Sequence, residues 1–308
     1  MRGYIANTDY DWYSFLKERP DLDEVNFWQP SARREFRVIP PGAPFFFKLK
    51  HPHYAIAGCG VFAGSSILPA WLAWESFGEK NGAPDFPTMR RRIEKYRSGD
   101  QADRRADYQI GCLMVAEPVF FDREEWIPQP ADWGRQTVQG AGYDLTQGEG
   151  RRIWLQCLAQ AAPRSAERGV VVEVGPRYGA PILVKPRLGQ GIFRITVTDA
   201  YDRACALTGE HSLPALEAAH IKPYADGGPH DIGNGVLFRS DIHRLFDRGY
   251  VTITPDLHFE VSRRLKDDFE NGRSYYPLHG EPIRIPRQAN ERPTGDFLRW
   301  HNENKYLG

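Results

Sequence analysis

The stretch between residues 216 and 249 constrains the fold of this 308-residue chain more than any other. An apolar run ends at His220, as at the end of a short strand. Residues 226–229 read Asp-Gly-Gly-Pro, which is typical of a turn, and residues 236–238 read Val-Leu-Phe, which indicates a returning strand. The pattern predicts an antiparallel pair of short strands.

A helix is predicted to follow this pair directly. Ser240 is a suitable N-cap, the next seven residues have a helical pattern, and Gly249 can end the helix in the left-handed conformation. The stretch therefore places His220 on a strand, Asn234 on the connecting loop and His243 on the helix. Side chains from three adjoining elements are expected to converge on one compact site.

The order of a strand histidine, a loop asparagine and a helix histidine resembles an HNH nuclease. The flanking sequences agree, with Cys-Ala-Leu-Thr-Gly at 205–209 and His-Arg-Leu-Phe-Asp-Arg-Gly at 243–249. The resemblance implies a ββα-metal fold that hydrolyses DNA phosphodiester bonds with one divalent ion. HNH domains of this kind are common at the C-terminus of bacterial restriction-type endonucleases.

The residue types suit that chemistry. A neutral imidazole, with an ordinary pKa of about 6.5, can take a proton from an attacking water, so His220 is the candidate general base. Asn234 and His243 complete the predicted catalytic set. Asn234 has three open interpretations: it orients the imidazole, it reaches the metal ion, or it forms an ordinary turn pair with Gly235.

The predicted metal ligands are His243, Asp247 and Asn234, and the expected ion is Mg²⁺ or Mn²⁺. His243 and Asp247 lie four residues apart on one helix face, with their Cβ atoms about 5–6 Å apart. Asp247 is otherwise a surface charge in an unfavourable position near a helix C-terminus. Many HNH enzymes have a metal-binding Asp or His directly before the base, and here that residue is Ala219; Glu217, with the same strand parity, is a weaker substitute.

Composition narrows the class of protein without revealing its substrate. Forty basic residues balance forty acidic ones, so only local patches can attract nucleic acid. The four cysteines form no Cys-x-x-Cys pair, which argues against a disulfide framework and a cysteine zinc site. No apolar run reaches eighteen residues, and the N-terminus has no hydrophobic signal core. We expect a soluble, cytoplasmic protein with no membrane partner.

The N-terminal half resembles an EVE domain, a member of the PUA-like superfamily. The segments that carry this resemblance are residues 4–12, 26–30, 42–48, 57–62, 71–82 and 118–121. The resemblance implies a small β-barrel with flanking helices that binds a modified base, flipped out of the nucleic acid into an aromatic pocket. Trp28 is the first stacking candidate, with a core role equally open, and the other expected pocket residues are Trp12, Phe47, Thr8 and Asp9.

Together these features predict an α+β chain with an EVE domain at 1–160, a linker at 161–190 and an HNH domain at 191–308. The expected function is that of a modification-dependent DNA endonuclease, directed to double-stranded DNA that carries 5-methylcytosine or a related base. A homodimer is expected, since one HNH site cuts one strand. Two alternatives stay open: a reader of modified nucleic acid without nuclease activity, and an HNH nuclease without base selectivity.

Overall fold

A computed structural model of the chain contains two compact units. They span Met1–Ile192 and Phe193–Gly308, and each is described by itself. The structure describes residues 1–19, 21–31, 35–97, 108–167 and 188–308, with side chains between 108 and 167 described as far as residue 162.

Mixed helices and strands make up the first unit. Its strands are β1 Arg2–Thr8, β2 Glu24–Gln29, β3 Pro44–Leu49, β4 Ala55–Pro69, β5 Gln109–Phe120, β6 Ile127–Pro128 and β7 Gly140–Asp144. Its helices are α1 Tyr10–Lys17, α2 Ala70–Phe77, α3 Phe86–Glu94 and α4 Gly148–Glu167.

These strands, within the described residues, form one seven-stranded sheet in the order β2-β5-β4-β3-β1-β7, with β6 paired to β4. The β1–β3 pair is parallel and the remaining pairs are antiparallel. The α+β class expected from the sequence is confirmed. The expected barrel is not confirmed, because no pairing of β2 with β7 closes the sheet among the described residues.

Strand β3 lies at the centre of the sheet and is buried on both faces. Phe45 and Phe47 lie on one face, where the ring of Phe47 is 5.2 Å from that of Trp12 on α1. Phe46 lies on the opposite face, 6.3 Å from Trp154 on α4. A strand covered on both faces has a continuous apolar sequence rather than an alternating one, which explains the run of three phenylalanines.

Helix α5, Gln190–Ala200, enters the second unit at Phe193. The strands that follow are β8 Leu216–His220, β9 Gly235–Arg239, β10 Val251–Ile253 and β11 Phe259–Val261. The remaining helices are α6 Ser240–Asp247, α7 Arg264–Phe269 and α8 Gly295–Asn304.

The predicted ββα unit is confirmed. Strands β8 and β9 are antiparallel, with His220 opposite Gly235, and α6 follows β9 directly. The prediction that Ser240 caps α6 is wrong by one residue: Ser240 is the first helical residue, and Arg239 occupies the N-cap position without a capping hydrogen bond from its side chain. Gly249 adopts a φ of 75° and its N–H donates to Phe246 O, as expected for a left-handed helix end.

The C-terminal half of α6 is supported by His301 on α8. The two rings of His301 and Phe246 are stacked 3.8 Å apart. His301 Nε2 lies 3.1 Å from Phe246 O, and Nδ1 lies 2.8 Å from Thr252 Oγ1. Since a carbonyl oxygen only accepts, Nε2 carries the proton. Burial lowers the pKa of His301 to about 4, so the ring is neutral at pH 7 and Nδ1 accepts from the Thr252 hydroxyl.

The expected division at residues 160 and 190 stays a prediction. Helix α4 extends to Glu167 and α5 begins at Gln190, whereas 168–187, most of the expected linker, lies outside the described residues. All four cysteines are free thiols. None of the helices in the described ranges is long and apolar enough to cross a bilayer.

Candidate active site and aromatic pocket

His220 ends strand β8, half-buried beneath helix α5. Its ring stacks on the ring of Phe193 at a centroid distance of 3.9 Å and an interplanar angle of 13°. Gly235, its partner in the strand pair, allows α5 to lie this close: a Cβ at that position would come within 2.4 Å of Val197 and 3.1 Å of Phe193. The Asn-Gly pair thus reflects close packing rather than a turn, since Gly235 is extended, with a φ of −122°.

A second histidine contacts His220. His220 Nε2 lies 2.9 Å from Nδ1 of His230, so one of these two nitrogens donates to the other. The far side of the His230 ring stacks on Tyr224, at 4.6 Å and 6°. Phe193, His220, His230 and Tyr224 therefore form a continuous series of ring contacts that ends at an exposed tyrosine.

The surroundings of His220 favour the neutral imidazole. Burial lowers the pKa of His220 to about 4, and the positive charges that His230 and His243 can carry act in the same direction. Asp247 opposes this shift. At neutral pH the ring is therefore uncharged, which is the form that a general base requires.

Asn234 is fully buried, and its amide is bonded to the backbone on both sides. Its Oδ1 accepts from Lys222 N at 2.8 Å, and its Nδ2 donates to Lys222 O at 2.9 Å and Pro229 O at 3.0 Å. These bonds fasten the loop after β8 to the start of β9. This geometry supports a role in positioning the loop backbone, which is not among the three interpretations open from the sequence.

His243 lies between two carboxylates. Its Nδ1 is 2.7 Å from Oε2 of Glu217 on β8, and its Nε2 is 3.3 Å from Oδ2 of Asp247 on its own helix. Burial by itself lowers the pKa of His243. The hydrogen bonds and negative charges of Asp247 and Glu217 outweigh burial, so the pKa of His243 is raised above its usual value. The surroundings of His243 therefore favour a positive charge on its imidazole.

Among the described residues, no group of three or more His, Cys, Asp or Glu side chains is arranged to hold a metal ion. Mg²⁺ needs fewer protein ligands, because it retains water and is commonly bound through one or two carboxylates and substrate phosphate. Asp247 Oδ2 is such a carboxylate, and His243 Nε2, 3.3 Å from it, would add a nitrogen ligand. Glu217 lies behind that histidine, where a carboxylate can orient a metal-binding imidazole.

Sequence reasoning missed His230 and named Glu217 only as a weaker substitute ligand. His230 lies in the loop between two short 3-10 turns and has no periodic signal. Glu217 had only its strand parity with Ala219 in its favour. Ala219 itself is fully buried in the hydrophobic core, where a charged metal ligand would be costly.

The first unit contains a pocket of about 310 Å³ with aromatic walls and polar groups, a size typical of small-molecule sites. Three of the five side chains expected at such a pocket line it: Trp12, Trp28 and Asp9. The remaining lining residues are Asn7, Phe27, Gln29, Pro30, Ser31, Lys50, Tyr96, Val138 and Gln139.

Thr8 and Phe47 are not among the lining residues. Thr8 is fully buried, and its hydroxyl donates to Ala6 O at 3.1 Å. Phe47 is also fully buried and stacks on Phe120 at 5.4 Å. Both positions belong to the core beneath the pocket.

Trp28 and Trp12 are held differently. Trp28 is 9% exposed, and its Nε1 donates to Asn81 O at 3.0 Å, which fixes the plane of the indole. Trp12 packs edge-on against Phe27 at 5.3 Å. The buried Nε1 of Trp12 has no hydrogen-bond partner within the described ranges.

Asp9 occupies the N-cap position of α1 but makes no capping hydrogen bond. Its Oδ1 accepts instead from Lys50 Nζ at 2.8 Å and from Tyr96 Oη at 2.9 Å. An N-cap aspartate would ordinarily bond to the first helical N–H groups, so the carboxylate of Asp9 is diverted from its local role to the pocket.

Comparison with known proteins agrees with the nuclease assignment. Residues 205–254 match the model of the HNH endonuclease family. A search of curated protein sequences found no match.

Several solved structures are similar at low identity. ASCH from Zymomonas mobilis is 10% identical, covering 48% of this chain and 92% of its own, with a TM-score of 0.30. The modification-dependent restriction endonuclease TagI is 14% identical, covering 99% of this chain and 81% of its own, also at 0.30. The type IV phosphorothioation-dependent restriction endonuclease ScoMcrA is 13% identical, covering 74% and 43%, at 0.20. TM-scores this low do not establish a shared fold.

The HNH endonuclease domain predicted from the sequence is thus confirmed by the family match and by the ββα geometry of residues 216–247. The chain carries a metal-dependent endonuclease domain of the HNH type.

Proposed function

We propose that this chain is a modification-dependent DNA endonuclease. One observation carries the proposal: a single chain combines the His220–His243–Asp247 cluster of an HNH domain with an aromatic pocket that contains a diverted carboxylate, Asp9. The first group supports phosphodiester hydrolysis. The second supports recognition of an extruded base.

Hydrolysis needs a base and a way to stabilise negative charge. His220, neutral at pH 7, accepts a proton from water as the water oxygen attacks phosphorus. A divalent ion held by His243 and Asp247, Mg²⁺ or Mn²⁺, would supply Lewis-acid stabilisation of the phosphate and of the leaving oxygen. Glu217 would hold the Nδ1–H of His243, and Nε2, once it has lost its proton, would be the atom that binds the ion.

Asn234 serves this site by positioning. Its three hydrogen bonds hold the backbone at Lys222 and Pro229, on either side of the loop that carries Tyr224. These bonds hold both ends of the loop next to His220.

Recognition of a flipped base fits the pocket of the first unit. Extrusion costs a few kcal/mol of unstacking, and stacking on an aromatic side chain returns roughly 1–3 kcal/mol for each base. Trp28, with its indole plane fixed by Asn81, is the proposed stacking surface, and Trp12 closes the apolar wall.

The carboxylate of Asp9 favours a cytosine derivative. A methyl group contributes only about 1 kcal/mol of apolar burial. Thymine carries the same methyl group at the same ring position and is abundant in DNA, so the methyl group cannot identify 5-methylcytosine. The exocyclic amine distinguishes the two bases, and a carboxylate is the acceptor that pairs with the N4 amine of cytosine.

We propose that the enzyme cuts both strands as a homodimer, because one HNH site handles one strand. Light scattering in the presence of a modified duplex tests this. A monomer on doubly cut duplex would contradict it.

Matched duplexes test the function directly. The full chain is incubated with duplexes carrying cytosine, 5-methylcytosine, 5-hydroxymethylcytosine or N6-methyladenine, with Mg²⁺ or Mn²⁺, and the products are separated on gels. Cleavage of the modified-cytosine duplexes, lost in His220→Ala while DNA binding is retained, supports the proposal. Equal cleavage of all four duplexes indicates a nuclease without base selectivity. Selective binding without cleavage indicates a reader whose nuclease site is inactive.

A further inference from the structure

We propose that His230 is a positioning residue of the nuclease site that sets the tautomer of His220 and stabilises its protonated form. This inference rests on the proposed role of His220 as general base. It concerns a residue that neither the strand-loop-helix motif nor its metal ligands include.

The hydrogen bond between the two rings allows two arrangements. If His230 Nδ1 donates, His220 Nε2 accepts and its Nδ1 must carry the proton, which leaves His220 without a lone pair for water. If His220 Nε2 donates, Nδ1 of His220 holds the free lone pair. Only the second arrangement gives a general base, so His230 acts as the acceptor.

The same contact stabilises the product of proton transfer. When water gives its proton to His220 Nδ1, the O–H bond breaks, the water oxygen bonds to phosphorus and the ring becomes an imidazolium. The bond from phosphorus to the leaving oxygen breaks in the same displacement, and that oxygen departs with the bonding electron pair and takes a proton from solvent water. Its Nε2–H then donates to the lone pair of His230 Nδ1, 2.9 Å away, as a charge-assisted hydrogen bond. His230 remains neutral and loses no proton in this step.

The structure holds His230 in place for this role. Tyr224, which is 67% exposed, covers the ring of His230 at 4.6 Å, and the residue before His230 is Pro229, whose carbonyl accepts from Asn234. The buried Asn234 therefore connects the start of β9 to the position of His230. The sequence motif places an asparagine at position 234, and its side-chain hydrogen bonds hold the backbone of the loop that leads to His230.

The tautomer can be measured without any cleavage assay. In the full chain labelled with ¹⁵N-histidine, long-range ¹H–¹⁵N spectra at pH 7.5 distinguish a protonated Nδ1 from a protonated Nε2. We expect His220 to be the Nε2–H tautomer in the wild type, and a mixture of both tautomers in His230→Phe. An Nδ1–H tautomer in the wild type overturns the proposal, whether or not the protein cleaves DNA.

Cleavage kinetics supply the second readout. His230→Phe keeps a ring against Tyr224 but removes the acceptor, and we expect kcat to fall on the order of 100-fold. His230→Gln restores an acceptor oxygen, and we expect it to recover to within about tenfold of the wild type, with its unfolding temperature as a check on folding. Full activity in His230→Phe overturns the proposal. So does a His230→Gln variant that is folded but as slow as His230→Phe, since that result makes His230 itself the titrating base.

The pH–rate profile separates positioning from a general loss of structure. The charged or titratable groups that affect His220 are His230, His243 and Asp247. Removal of the acceptor destabilises the imidazolium, so the His230→Phe profile should change shape, whereas a merely misfolded fraction lowers the rate equally at every pH. A uniform reduction across pH overturns the proposed role.

Discussion

The imidazole Nδ1 of His243 lies 2.7 Å from Oε2 of Glu217, a residue 26 positions earlier on the strand that faces the helix. This contact connects β8 to α6 through His243, one of the proposed metal ligands. Under the proposed function, Glu217 orients that ligand, whereas the sequence provides no ligand at Ala219.

Replacement of Glu217 should weaken the metal site without unfolding it. Glu217→Gln keeps the shape of the side chain but removes the negative charge that favours His243 Nδ1–H. We expect the affinity for Mn²⁺, measured by isothermal titration of the full chain, to fall by about 10–100-fold, the usual effect of losing such a partner. Glu303→Gln, at an exposed position on α8, is the matched control and should bind Mn²⁺ normally. Equal affinity in Glu217→Gln and the wild type would show that Glu217 does not orient a metal ligand.

Asn234 should prove more important for stability than for metal binding. Asn234→Ala leaves Lys222 N, Lys222 O and Pro229 O without this partner, at a half-buried and an exposed residue. We expect the free energy of unfolding to fall by about 3 kcal/mol, since three hydrogen bonds are lost and each contributes about 1 kcal/mol net. Urea unfolding of the full chain, combined with Mn²⁺ titration, measures both quantities. A loss of metal affinity with unchanged stability would restore Asn234 as a metal ligand.

Asp9 should determine which base is accepted. Asp9→Asn replaces a carboxylate acceptor with an amide that both donates and accepts, so discrimination between an amine and a carbonyl at ring position 4 is expected to disappear. Fluorescence anisotropy would compare duplexes containing a 5-methylcytosine·G pair and a thymine·G mismatch. We expect the wild type to prefer the first by roughly 10-fold or more, and Asp9→Asn to bind both alike. Asp11→Asn, exposed on the same helix, is the control; a preference that persists in Asp9→Asn would place recognition of the amine at another residue.

Trp28 should supply the stacking energy of the same pocket. Trp28→Ala removes the aromatic face, and we expect affinity for the preferred modified duplex to fall by about 5- to 150-fold, which corresponds to 1–3 kcal/mol. Trp28→Phe retains a face and loses only the hydrogen bond to Asn81 O, so it should keep most of the affinity. Measurements of DNA affinity for both variants test whether Trp28 stacks on the bound base. Unchanged preference in Trp28→Ala would mean that this tryptophan belongs to the core alone.

How much of the structure could be predicted from the sequence depends on how far apart along the chain the interacting residues lie. The ββα unit was predictable because strand, turn and helix signals lie within thirty-odd residues of one another, between β8 and α6. The contact between His220 and His230 was not predictable, because a loop residue lacks the helix or strand periodicity from which the direction of a side chain is inferred. Phe47 was expected at the pocket and lies in the core, since a strand buried on both faces gives its aromatic residues no distinguishing pattern.

The pH dependence of stability should reveal the buried His301. Burial lowers the pKa of His301 to about 4, whereas an unfolded histidine titrates near 6.5. Between these values the unfolded chain binds a proton that the folded chain does not, so stability is fully present above pH 6.5 and falls as the pH drops toward 4. The difference corresponds to at most about 3 kcal/mol for this side chain, which is only 1% exposed. His220, also shifted to about 4, adds to the same trend.

Replacement of His301 by phenylalanine isolates its share of that trend. His301→Phe retains a ring against Phe246 but cannot titrate, and it loses the hydrogen bonds to Phe246 O and Thr252. We expect a lower unfolding temperature than the wild type at pH 7.5, and a smaller decrease from pH 7.5 to pH 5. Thermal unfolding of both proteins across this range provides the measurement. An equally steep decrease in His301→Phe would assign the acid sensitivity to other groups, and His220→Phe would then be the next variant to test.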